Sequence, residues 1–182
     1  MNVYDFDKTI YDGDASLDFW KFSIKKQPTL IRYLPYQIFS AVLFKIRILN
    51  RKQFKEHFFI FLKSIHSLDL TRFWDQNQDK IKTWYFNQKK PDDLIISASP
   101  EFILKEITKR LQVKLISTKM NQRTGKIIGE NCRGEEKVKR FRELYKDQQI
   151  DQFYSDSESD TPLKKLAVIA YLVKKNQVID WK

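Results

Sequence analysis

Met1-Asn-Val-Tyr-Asp5-Phe-Asp7-Lys-Thr9-Ile-Tyr-Asp-Gly13-Asp14 opens the chain, and the reading of these residues decides the fold. Met1 to Tyr4 form a short apolar run with the character of a buried strand. Two acids, Asp5 and Asp7, stand where that strand should end. In extended backbone Phe6 points the opposite way, so both carboxylates leave on one face. Two like charges held that close are unfavourable unless a cation sits between them. Asp-x-Asp at the carboxyl end of a strand therefore asks for a hard cation, most simply Mg²⁺. Taken alone, the same residues would also suit a surface turn rich in Asp and Gly.

Three later stretches argue against the simple turn. Asp93-Leu-Ile-Ile-Ser97-Ala-Ser99 reads as a second buried strand ending in a hydroxyl. Gly134-Glu-Glu-Lys137 opens a helix with a lysine about one turn in. Phe153-Tyr-Ser-Asp156-Ser-Glu-Ser-Asp160 is a third short strand followed by two acids. In order, these four segments resemble the motifs of the haloacid dehalogenase (HAD) superfamily, in its phosphoserine phosphatase-like branch. The resemblance spans the whole chain. It implies a doubly wound, mostly parallel α/β sheet formed by residues 1–13 and 91–182. Residues 14–90 would then be an inserted, all-helical cap of the C1 type.

The resemblance also implies roles. Asp5 would be the nucleophile that becomes an aspartyl-phosphate, and a ligand of Mg²⁺. Asp7 would act as general acid and then general base, with its carbonyl on the metal. Asp156 would bind the metal directly, and Asp160 through water or as a support. Ser97 and the amide of Ala98 would hold phosphate oxygens, and Thr9 falls in the same phosphate-loop group, bracing the first loop. Lys137 suits the cationic motif through Asn131-Cys-Arg-Gly134-Glu-Glu-Lys137, while phosphoserine phosphatases carry the lysine where this chain has Arg133. Both stay open, with Lys137 preferred. Asp14 sits where those enzymes place a glutamate for the substrate ammonium; a hinge role between core and insert competes. Ser99-Pro100-Glu101 reads as a helix start with Ser99 as N-cap.

The rest of the chain fits that scheme. At 182 residues and 22.0 kDa it holds one domain, or a core plus an insert. One cysteine, Cys132, permits no internal disulfide and fits a reducing cytoplasm. Acids at Asp5 and Asp7 precede any apolar segment, so no signal peptide is expected. The longest uncharged run, Tyr33 to Phe44, is too short to span a bilayer.

The net charge of +11 is concentrated in the insert, where Asp14 to Lys90 hold 15 Lys/Arg against 6 Asp/Glu and 16 of the 26 aromatics. Such a stretch suits an anionic substrate, an anionic membrane surface or nucleic acid; a helical bundle with a lysine-rich face would look alike. Leu17, Trp20 and Ile24 mark one helical face, and Phe54, Phe58, Phe61 and Ile65 another. After Pro91 the pattern predicts strands at Leu94–Ile96, Val113–Ile116, Phe153–Ser155 and Ala170–Val173. Helices are predicted after Ser99, over Glu135–Leu144 and over Leu163–Val168, with a hairpin excursion between Lys119 and Glu130.

The expected function is Mg²⁺-dependent hydrolysis of a small-molecule phosphomonoester, with an amphiphilic or lipid-linked phosphate suggested by the insert. Phosphoserine or another small metabolite phosphate is the alternative. A non-catalytic protein binding nucleic acid or a membrane on the same scaffold is the reading from another class. Nucleic acid is not expected as a partner, because a binding module has no need of six mutually dependent polar groups; peripheral contact with an anionic membrane stays open.

Overall fold

A computed structural model describes all residues from Met1 to Lys182. Strand β1, Val3–Tyr4, runs directly into the Asp5 loop. The insert then holds α1 (Ala15–Lys26), a 3₁₀ turn (Pro28–Tyr33), α2 (Leu34–Lys45), α3 (Arg51–Phe58) and a 3₁₀ stretch (Phe59–Ser64). It closes with α4 (Leu70–Asp75), a 3₁₀ turn (Gln78–Lys80) and α5 (Thr83–Gln88). The chain continues through β2 (Leu94–Pro100), α6 (Glu101–Leu111), β3 (Lys114–Thr118), α7 (Glu135–Tyr145) and β4 (Ile150–Ser155). A short α8 (Thr161–Lys164) leads to β5 (Ala167–Lys174) and β6 (Gln177–Asp180).

One six-stranded sheet has the order β3-β2-β1-β4-β5-β6. All neighbours are parallel except the edge pair β5 and β6. This is the expected doubly wound, mostly parallel α/β sheet. The strand order reverses at β1, so a crevice opens beyond the carboxyl ends of β1, β2 and β4, where such sheets bind ligands.

Alternation along the strands builds two cores. Val3, Leu94, Ile96 and Phe153 face the side covered by α7 and α8. Tyr4, Ile95 and Tyr154 face the side covered by α6 and the insert. On that second face Tyr4, Tyr154 and Tyr171 stack across three neighbouring strands, with ring centres 4.8 Å apart at each step. Each such pair adds about 0.5–1.5 kcal/mol beyond simple burial. Tyr85 of α5 meets Tyr4 edge-on at 5.0 Å. Trp74 of α4 donates its Nε1–H to the Ile103 carbonyl of α6 at 2.7 Å. The aromatic residues of the insert therefore continue the core of the sheet.

Several sequence expectations shift. On α1 the buried face is Ala15, Phe19 and Ser23 rather than the Leu17 stripe; Leu17 is 41% exposed, because the phenyl ring of Phe19 takes the inward position against Phe61, Phe73 and Phe102. The Phe54–Ile65 pattern breaks from α-helix to 3₁₀ at Phe59. Helix α6 begins at Glu101 with Pro100, not Ser99, at its cap, because the Ser99 hydroxyl is committed to Asp7. The helix expected over Leu163–Val168 stops at Lys164, and the strand starts at Ala167. The β-branched pair Val168-Ile169 extends that strand, and the turn after it admits β6, which the sequence reading lacked. The excursion after β3 contains one antiparallel bridge, Met120 to Ile127. Asp69 caps α4, its side chain accepting the Arg72 amide. No helix is long and apolar enough to cross a membrane.

Candidate active site

Asp5 follows β1 directly, its amide bonded to the Tyr154 carbonyl at 2.8 Å. That bond ties it to the end of β4, whose loop supplies Asp156 and Asp160. Lys137, in the first turns of α7, is almost fully buried and reaches between them. Its Nζ donates to Asp5 Oδ1 at 2.6 Å and to Asp160 Oδ2 at 2.7 Å. The Ser155 hydroxyl donates to the same Asp160 oxygen at 2.8 Å. The Asp156 amide donates to Thr9 Oγ1 at 2.9 Å, joining the first and last motif loops. Thr9 is fully buried and stands behind the cavity rather than on its wall.

Asp7 is held from two sides. The Ala15 amide, at the start of α1, donates to Oδ1 at 2.7 Å, and the Ser99 hydroxyl donates to Oδ2 at 2.5 Å. Ser97 Oγ accepts the Ser99 amide at 3.0 Å, leaving its own proton free to point elsewhere. Asp14 caps α1 through its carboxylate, which accepts the Leu17 amide at 3.0 Å.

Asp5, Asp7, Asp14, Ser97, Ala98, Arg133, Lys137, Asp156 and Asp160 all line one cavity of about 520 Å³. So every candidate residue except Thr9 is brought to a single place. Arg133 stands on the wall, and Lys137 is the cation that touches Asp5.

The electrostatics show what this place lacks. Burial raises Asp5 to about 6; Lys137 opposes the rise, while Asp160 and Asp156 add to it. Burial also raises Asp7 to about 7, with Asp14 the next cause. Asp156 is raised by burial, against the pull of Lys8. Burial works against the charge on Lys137, but the flanking Asp5 and Asp160 carboxylates win and hold its pKa above the ordinary lysine value. Lys137 is the ammonium in contact with Asp5, and even so Asp5, Asp7 and Asp156 stay above the ordinary carboxylate range. The donor set thus suits an added hard cation. No three acidic side chains are gathered closely enough to enclose one by themselves. Backbone carbonyls and water would complete the shell, as Mg²⁺ prefers.

Sequence reading missed residues from the insert. Lys55 of α3 enters the cavity and donates to the Ala98 carbonyl at 2.6 Å and to Asn131 Oδ1 at 2.7 Å. Burial lowers its pKa to about 8, with Asp7 and Asp14 holding it up. Arg51 lines the same wall one turn earlier. The signal was present: Arg51 and Lys55 are spaced i, i+4 and share a helix face. Phe54, Phe58 and Leu17 supply an apolar part of the wall. Cys132, for which no partner base was evident, is fully buried, and burial pushes its thiol up to about 11.

A doubly wound α/β sheet with acids and a lysine at its switch point has its cavity where proteins of this class bind ligands, beyond the carboxyl ends of the strands. The particular family is shown by sequence: residues 3–165 match the haloacid dehalogenase-like hydrolase model, and the chain belongs to that family. A search of curated proteins finds no match. Among solved structures, a protein of unknown function from Bordetella pertussis Tohama I superposes with TM-score 0.70 at 18% identity, over 91% of this chain and 85% of the other. A phospho-aspartyl intermediate analogue of phosphoserine phosphatase gives 0.55 at 14% identity, over 92% and 83%. A probable phosphoserine phosphatase from Vibrio cholerae gives 0.61 at 12% identity, over 93% of this chain and about half, 55%, of that one. These likenesses establish a shared fold.

Proposed function

We propose that the chain hydrolyses a phosphomonoester in two steps through an aspartyl-phosphate on Asp5, with residues 14–90 acting as the cap over the site. The observation that carries this reading is the placement of Lys137 between Asp5 and Asp160 beneath a cavity that also holds Asp7.

In the first step an Asp5 carboxylate oxygen bonds to phosphorus as the ester P–O bond breaks. Asp7 gives its proton to the departing alkoxide; a pKa of about 7 keeps that proton available near neutrality. In the second step Asp7 takes a proton from water, whose oxygen attacks the same phosphorus. Inorganic phosphate leaves and the Asp5 carboxylate is restored. Lys137 screens Asp5 from the charge of the phosphoryl group. Ser97 Oγ and the Ala98 amide donate to phosphoryl oxygens, and Lys55, Arg51 and Arg133 add positive charge around them. Asp5, Asp156 and the Asp7 carbonyl would hold Mg²⁺, with Asp160 in support. Bound there, the ion neutralises charge on the transferring group.

The substrate reading is an amphiphilic phosphomonoester, its apolar part against Phe54, Phe58 and Leu17. Aryl phosphate hydrolysis with Mg²⁺ tests the chemistry: it should be present in the wild type and absent from Asp5→Asn. A panel including phosphoserine and a short-chain lipid phosphate tests the substrate. Selective, fast phosphoserine turnover would replace the amphiphilic reading with the small polar one.

A further inference from the structure

Helix α2 is built inside out. Its two buried side chains, against α1 and α3, are polar: Gln37 accepts the Trp20 Nε1–H at 3.1 Å and donates to the Phe58 carbonyl at 2.6 Å. Buried Ser40 pairs with His57 Nδ1 at 3.0 Å. The outer face carries Ile38, Phe39, Val42 and Ile46, each more than half exposed. These recur at i, i+1, i+4 and i+8, one continuous stripe of a helix. Ile31 before the helix and Ile48 after it are about as open. An apolar patch of this kind marks an interaction surface.

The charges around it say what it meets. From Phe19 to Lys55 the chain has nine Lys/Arg and no Asp or Glu. Lys45 and Arg47 flank the stripe at its end, and Arg32 lies at its start. A second copy of this chain would set those charges against one another. An anionic lipid surface accepts both the apolar stripe and the cations. At 12 residues α2 lies along such a surface rather than across it.

We propose that the α2 face docks onto an anionic membrane. Docking brings the catalytic cavity close to the lipid headgroups. Phe44 of α2 stacks on Phe54 of α3 at 4.9 Å, and Arg51 lies over Phe44. Phe54 and Arg51 are themselves part of the cavity wall. The docking face and the phosphate site are thus one helix apart. This deepens the amphiphilic-substrate reading, yet it is read by binding alone, so failure of either leaves the other measurable.

The test is co-sedimentation of the full chain with vesicles in which about a third of the phosphatidylcholine is replaced by phosphatidylglycerol, beside pure phosphatidylcholine. The wild type and Asp5→Asn should both bind the anionic vesicles, less so at high salt, and leave the neutral ones alone. Phe39→Ser with Val42→Ser should weaken partition by about tenfold or more. The same pair should leave aryl phosphate turnover and the solution mass unchanged. Lys45→Glu with Arg47→Glu should weaken binding without touching the apolar stripe. Binding insensitive to both pairs, equal binding to neutral vesicles, or a dimer that the Ser pair turns into monomer would each overturn the proposal.

Discussion

Lys137 is surrounded by groups that need it, and the two sides of its ion pairs respond differently to mutation. Lys137→Met leaves Asp5 and Asp160 buried without their cation, a loss of about 3–5 kcal/mol for such pairs. It should lower Tm sharply and remove activity. Asp5→Asn removes one of several carboxylates competing for that cation. Turnover should fall at least about a thousandfold, as for loss of a nucleophile. Tm of the metal-free protein at neutral pH should stay level or rise, since Asp5 ionises there against its burial. Thermal melts of the two variants beside the wild type check both. The sequence pattern put Asp5, Asp7, Ser97, Lys137, Asp156 and Asp160 at strand ends or in a first helical turn, the family resemblance grouped them, and one cavity holds all six. The surface that the shared face of Arg51 and Lys55 meets was not legible in the sequence, nor was the bond from Ser99 to Asp7, because they depend on how α3 and the loop after β1 approach β2 in space.

At the level of elements, one loop position lies close against the 3₁₀ stretch at Phe59. Gly125, in the excursion after β3, has φ +72°, and a Cβ there would lie 2.4 Å from the Phe59 carbonyl oxygen. Gly125→Ala should cost at least about 2 kcal/mol through backbone strain and that collision. Chemical denaturation measures the cost, and a change within error of zero would show that the insert yields. The excursion between Lys119 and Glu130, which holds Gly125, was legible because glycine marks turns. Strand β6 was not: its residues are exposed, and four residues with no buried face carry no periodic signal. The buried face of α1 was misread for a related reason. Leu17, Trp20 and Ile24 satisfy helical spacing as well as Ala15, Phe19 and Ser23, and the rings of Phe61, Phe73 and Phe102 around Phe19 select the second set.

For the whole molecule, the buried acids Asp5 and Asp7 set a pH-dependent strain. The folded-state pKa values of Asp5 and Asp7, about 6 and about 7, lie above those of the unfolded chain. Between about pH 4 and pH 7 the folded chain therefore holds protons the unfolded chain has lost, and this pair's contribution to stability falls as pH rises. Asp7→Asn mimics the protonated form. Its Tm advantage over the wild type should grow from about pH 5 to about pH 8 and shrink when Mg²⁺ is added. A gap that ignores pH would place the strain elsewhere. The chain also carries its own clock for such openings. Cys132 is the sole thiol, sealed beneath the loop where its amide meets Thr118 Oγ1 at 3.0 Å. A thiol reagent in solution can reach it only when that region breathes, so labelling kinetics time the excursions of the loop between β3 and α7 directly, and occupancy of the cavity by a phosphate mimic should slow the label.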